Sequence, residues 1–142
     1  MQKPICRLIA LIVALVIVTV PAWGAEEIKT LAIGARAPGF ALPGVDGKVH
    51  KLSDYDQAKV LVIVFTCNHC PTAQAYEGRI KKLAADFKDK GMALVAISPN
   101  DPEAVRLDEL GYTDVGDSLE DMKIRAKAAQ FNFPYLYDGL DQ

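Results

Sequence analysis

Cys67 and Cys70 stand three positions apart in the stretch IVFTCNHCPTAQAY, residues 63–76. Two thiols at that spacing can cycle between dithiol and disulfide, supply half of a metal site, or lock as a staple. A structural zinc site takes four ligands, usually two such pairs or one pair with two histidines. The histidines are His50 and His69, and His69 lies between the cysteines, poorly placed to complete a tetrahedron with both. No metal is therefore expected. Haem attachment needs a histidine directly after the second cysteine, and Pro71 stands there. A disulfide from Cys67 to Cys70 would close a very short loop, and short loops stabilise least in the chain-entropy account.

Redox cycling gives each residue a task. Cys67 follows an apolar run at the expected start of a helix, where free N–H groups and the helix dipole favour a thiolate. A lowered pKa then makes it the more reactive thiol near neutral pH and the better leaving group. Cys70, one helical turn on, can attack a mixed disulfide at Cys67 and release the substrate. A protonated His69 adds positive charge beside the sulfur; a neutral one is an exposed spacer. Asn68 can donate a hydrogen bond or simply suit the turn. Pro71 shapes the first helical turn, where its missing N–H costs little. Such exchange needs no bound cofactor.

These residues need a strand ahead of them and a helix behind. Val60–Phe65, VLVIVF, is a continuous apolar run, as in a strand covered on both faces. Tyr76, Ile80, Leu83, Ala84 and Phe87 then recur at helical spacing, with Lys88 and Lys90 near the end and Gly91 as a stop. Residues 92–98, MALVAIS, predict a second buried strand, so the unit is strand–helix–strand with parallel strands. Upstream, residues 40–42 and 48–50 predict a hairpin around Asp46-Gly47. Downstream, Pro102 opens a short helix and residues 111–117 are loop-like. Ser118 with Asp121 suggests a capping box for a helix carrying Met122, Ala126 and Ala129, up to about Gln130. Tyr135–Tyr137 is a third strand.

The amino terminus is a different kind of segment. Lys3 and Arg7 precede an unbroken apolar run from Leu8 to Val20, and Pro21 then leads into Ala22-Trp23-Gly24. This is a secretory signal pattern with cleavage after Gly24. The domain is then residues 25–142, exported to the periplasm or outside the cell. Uncleaved, residues 8–25 would instead anchor the chain to a membrane. Export removes Cys6, leaving Cys67 and Cys70 for an oxidising compartment. It also removes Lys3 and Arg7 from 16 basic residues against 18 acidic ones, taking the formal net charge from −2 to −4. That balance, without a basic cluster, excludes nucleic acid as an expected partner.

The segments VLVIVFTCNHCP and FPYLYD (133–138), with the Asp-Gly hairpin, resemble the thioredoxin-like superfamily over residues 30–142. The chain is most similar to exported redoxins related to the alkyl hydroperoxide reductase and thiol-specific antioxidant family. The resemblance implies an α/β fold with an N-terminal β-hairpin and a βαβ unit bearing the cysteines. It implies Cys67 as the attacking thiol and Cys70 as the resolving one, acting on protein thiols and disulfides with an upstream redox partner protein. Histidine before the second cysteine is similar to protein disulfide isomerases and periplasmic disulfide-forming enzymes. Peroxiredoxins share this ancestry and place threonine three and proline seven residues before the peroxidatic cysteine. Here those positions hold Val64 and Val60 before Cys67, or Cys67 and Ile63 before Cys70, so neither register fits.

Two departures from the resemblance stand out. Thioredoxins keep a buried acid on the strand before the cysteines, and Val60–Phe65 has none. The only late proline is Pro134, and the C-terminal ββα part with its cis-proline has no counterpart before Gln142. The resemblance thus implies a domain incomplete at its C-terminus, with an apolar strand edge that favours aggregation or a partner. The alternatives to disulfide exchange are a peroxiredoxin-like antioxidant protein, a metal-binding or non-catalytic module, and an inactive fragment.

Overall fold

The computed structural model describes residues 30–104 and 116–139. The chain divides into two units, Met1–Arg36 and Ala37–Gln142. The described part of the first, residues 30–36, contains one turn, in which Ala35 N–H donates to the Ala32 carbonyl. The apolar run 8–20 and residues 105–115 lie outside the described residues, as do residues 140–142. Among the described residues, no helix is long and apolar enough to cross a membrane.

The second unit opens with the expected hairpin, displaced by one residue. Strands β1 (Ala41–Pro43) and β2 (Val49–Lys51) pair antiparallel, with Leu42 opposite His50. Only Gly47 in the turn takes a left-handed φ, +79°, a conformation that costs glycine nothing. His50 helps brace this corner, its ring bonding to the Tyr55 hydroxyl on one side and Asp46 on the other.

Strands β3 (Val60–Phe65), β4 (Met92–Ser98) and β5 (Tyr135–Tyr137) form a parallel sheet in that order. Helix α1 (Pro71–Phe87) crosses from β3 to β4, and α2 (Leu119–Ala128) precedes β5. Gly91, at φ +87°, ends the 3₁₀ turn Lys88–Lys90 that follows α1. Period-two alternation splits the strands between two cores. Ala96, Tyr135 and Tyr137 meet Met122 and Ala126 of α2 on one face. Val95, Ile97 and Leu136 meet Phe40, Leu42, Tyr55, Leu61 and Ile63 on the other. Gly44 bridges to Leu136, which fastens the hairpin beside β5.

Four expectations need correction. Strand β3 is not covered like a central strand: among the described residues it pairs only with β4, and Val60 and Phe65 are 56% and 69% exposed. The apolar stripe of α1 is also turned, with Tyr76, Leu83 and Phe87 exposed. Polar ties explain the rotation. Arg125 of α2 makes a bidentate pair with Glu77 at 2.9 and 2.8 Å, and Lys81 donates to the Ala129 carbonyl. These draw the Glu77–Lys81 side of α1 toward α2. The capping box is formed differently from the usual pattern: Ser118 Oγ accepts from Asp121 N–H and donates to Asp121 Oδ2. Helix α2 then ends at Ala128, shorter than expected, because Gln130 adopts a left-handed φ of 52°.

Candidate active site

The site lies where the chain leaves β3. Thr66 N–H still bonds to the Ile97 carbonyl, extending the ladder by one step, and the segment then turns toward α1. Proline decides where the helix begins. A residue preceding proline is pushed out of the α region, and Cys70 is extended at φ −75°, ψ 118°. Pro71 therefore occupies the first helical position and Cys70 caps the helix, as the role expected of Pro71 requires.

This shifts the helix terminus from Cys67, where it was expected, to Cys70. The N–H groups of Ala73 and Thr72 hold the Cys70 thiol below the ordinary thiol range, with the Thr72 hydroxyl and Cys67 adding to the effect. No full side-chain hydrogen bond closes this cap, so the influence is that of the open helix end on a nearby sulfur. Cys67 behaves in the opposite way. Burial pushes its thiol up, and the negative charges of Asp117 and Cys70 add to the rise against the Cys70 N–H and the Asn100 amide. The lowered pKa expected of Cys67 thus belongs to Cys70. Both cysteines are free and half-buried. Cys70 also lines an open groove of about 390 Å³ with Val64, Phe65, Tyr76 and Ile80.

Asn68 is a structural node. It is 1% exposed, and every polar group it has is used. Its N–H donates to Asp117 Oδ1 at 2.8 Å and its amide to the Gly116 carbonyl at 2.7 Å. Its side-chain oxygen accepts from the Tyr135 hydroxyl, and its carbonyl from Gln74. His69 is no free spacer either. Its N–H reaches Asp117 Oδ1 at 3.3 Å, and Nδ1 meets Asp117 Oδ2 at 2.5 Å. A carboxylate only accepts, so Nδ1 carries the proton and Nε2 remains available as an acceptor. Asn100 supplies a further donor to Asp117 Oδ2, at 2.7 Å.

Asp117 is the residue that sequence reasoning missed. Its side chain is fully buried and gathers four N–H donors from two stretches of chain, residues 68–69 and Asn100. β3 carries no acid, and this buried carboxylate comes instead from the residues just before α2. Burial, with the charge of Asp117 adding, pushes the Tyr135 phenol well above its ordinary value.

Residues 33–142 match the AhpC/TSA family. The chain belongs to the AhpC/TSA family. A stretch of 73 residues is 33% identical to a Mycobacterium tuberculosis protein whose description names a peroxiredoxin. That stretch is 51% of this chain and 46% of the relative, so the chain spans about half the length of the curated relatives it matches. An uncharacterised conserved protein from Geobacillus kaustophilus superposes with a TM-score of 0.66 at 38% identity, covering 80% of this chain and 56% of that one. A Bacteroides thetaiotaomicron protein whose description names a protein disulfide isomerase superposes with a TM-score of 0.57 at 25% identity, covering 76% and 58%. The fold is thioredoxin-like.

In this AhpC/TSA chain, Cys67 Sγ, a His69 ring nitrogen and an Asp117 oxygen lie within 4.8 Å of one another. Among the described residues, His69 shares this group with Cys67 and not with Cys70. Thiolate, imidazole and carboxylate are all zinc ligands. Each Asp117 oxygen already accepts two N–H groups, however, so a cation would have to replace the His69 hydrogen bond.

Proposed function

We propose that the chain is a thiol–disulfide oxidoreductase, exchanging disulfides with protein thiols through Cys67-Asn68-His69-Cys70. The observation that carries this reading is a pair of free thiols close enough to influence each other, one of them capping a helix. Opposite shifts of the two thiols suit exchange, where one must attack and the other must wait. The likeness to a protein described as a disulfide isomerase supports the same chemistry. An upstream redox partner protein resets the pair, and export by the N-terminal segment places it among secreted thiols.

The test is reduction of insulin, or oxidation of a dithiol peptide, by the purified chain. A Cys67–Cys70 couple titrating at a defined potential is expected, and Cys67→Ser or Cys70→Ser should lose turnover by about 10²-fold or more. Catalytic consumption of hydrogen peroxide without protein disulfide exchange would refute it. That outcome would favour the peroxidase reading, which the peroxiredoxin-named relative supports and the residues at positions 60 and 64 oppose.

A further inference from the structure

We propose that the reduced chain binds one zinc ion through Cys67 Sγ, the His69 imidazole and the Asp117 carboxylate, at a site that exists only while Cys67 is a free thiol. Zinc binding goes beyond disulfide exchange and does not depend on it.

Local sequence offers too few ligands here because the third donor is remote. Asp117 lies 48 positions from His69, yet folding brings its oxygen, a His69 ring nitrogen and Cys67 Sγ within 4.8 Å of one another. In a tetrahedral zinc site, nitrogen and oxygen ligands stand about 3.3 Å apart, and sulfur about 3.6 Å from either. A shift of roughly 1 Å in the side chains therefore completes the geometry. His69 has the room to make it, its side chain being 18% exposed against 0% for Asp117. Its Nδ1 now donates to Asp117 Oδ2, and the ion takes the place of that proton.

Charge favours the exchange of proton for metal. Asp117 is a buried carboxylate whose one ion-pair partner among the described residues is His69. A dication held by a thiolate, a neutral imidazole and a carboxylate leaves no net charge on the group, which a buried setting requires. Asp117 keeps three other donors when the ion binds: the Asn68 and His69 backbone N–H groups and the Asn100 amide. Such outer-shell bonds hold a metal-ligating carboxylate in place. Calcium and magnesium take oxygen ligands and copper(I) takes soft sulfur, so this mixed donor set suits zinc. Cys70 stands outside the three-donor group, which leaves zinc's fourth position to a water.

Binding displaces one proton and moves no electrons. Cys67–SH releases its proton to solvent and forms the S–Zn bond. Neutral His69 shifts its proton from Nδ1 to Nε2 and gives the Nδ1 lone pair to the ion. A Cys67–Cys70 disulfide has no thiolate to offer. Oxidation of the pair, with a disulfide R–S–S–R′ taking the two electrons and leaving as two thiols, therefore releases the ion. Bound zinc in turn shields Cys67 from oxidation and alkylation.

The test is titration of the reduced, chelator-stripped chain with zinc against a chromophoric competitor, with cobalt(II) as the spectroscopic substitute. One ion per chain is expected, and the cobalt form should show tetrahedral d–d bands with the charge-transfer band of a single thiolate. Cys67→Ser should weaken binding at least about 100-fold and Asp117→Asn at least about tenfold, while Cys70→Ser stays within about threefold of the parent. Saturating zinc should slow alkylation of Cys67 by about tenfold or more, and oxidation to the disulfide should release the metal. Should Asp117→Asn fail to fold, His69→Ala tests the same site at a more exposed side chain, again with a loss of about tenfold or more. Equal losses in the two cysteine variants, with the Asp117 and His69 variants unaffected, would mean chelation by the dithiol alone and overturn the site. A two-thiolate cobalt spectrum, or no uptake from excess zinc, would overturn it as well. None of these outcomes touches the exchange reading, which stands or falls on turnover of a disulfide substrate.

Discussion

Replacing Asp117 by alanine should unfold the seam more than any other single polar substitution there. Alanine strands four N–H donors at once. The Asn68 N–H belongs to a residue only 1% exposed and cannot recover water, and such a donor costs about 1–3 kcal/mol. The other three are half-buried and regain partial hydration, each losing about 0.5–1 kcal/mol net. The total is about 2.5–6 kcal/mol, a large share of a small domain's stability. Asparagine is the informative control. Its oxygen still accepts from the two backbone N–H groups, and His69 can move its proton to Nε2 and accept from the new amide. Only the Asn100 amide then faces a donor, for a cost of about 1–2 kcal/mol. Urea unfolding of the reduced protein at neutral pH measures both, provided the slope is unchanged. An alanine variant losing less than about 1 kcal/mol would refute the network as the anchor of the seam. Equal losses for alanine and asparagine would refute the hydrogen-bond accounting.

The order of thiol ionisation has its own readout. Cys70 should be alkylated by iodoacetamide with a midpoint below the ordinary thiol value and Cys67 above it, followed residue by residue by mass spectrometry; the opposite order would be decisive against the helix-cap account. The stability linkage follows in sign. The contribution of the lowered Cys70 is complete above the unfolded thiol pKa and lost as pH falls through the folded one. That of the raised Cys67 is present below the unfolded value and lost as pH rises through the folded one. Phe65→Lys, on the outer edge of β3, should lower concentration-dependent self-association in sedimentation velocity, because an edge charge discourages strand addition. Unchanged association would place the sticky surface elsewhere.

Local periodicity carried most of the fold. The hairpin, the strands at 60–65, 92–98 and 135–137, and the helix from Pro71 to Phe87 all follow from alternation, helical spacing and turn residues. These are short-range preferences, and each acts within the element that shows it. One local rule had more to give. Pro71 excludes Cys70 from the helix, so the cap position was written in the order of those two residues.

The sequence by itself thus determined that two thiols stand at a strand–helix seam with a histidine between them. Tertiary structure decided what surrounds them. Asp117 meets Asn68 and His69 across 49 and 48 positions of chain, and Tyr135 meets Asn68 across 67. No periodicity spans such separations; these groups converge because β4 and β5 run parallel to β3 and bring their loops to one end of the sheet. The same packing exposes Tyr76 and Leu83 by tying Glu77 and Lys81 to α2. Thiol identity is local chemistry, but the charge, burial and hydrogen bonds that tell Cys67 from Cys70 are properties of the assembled sheet end.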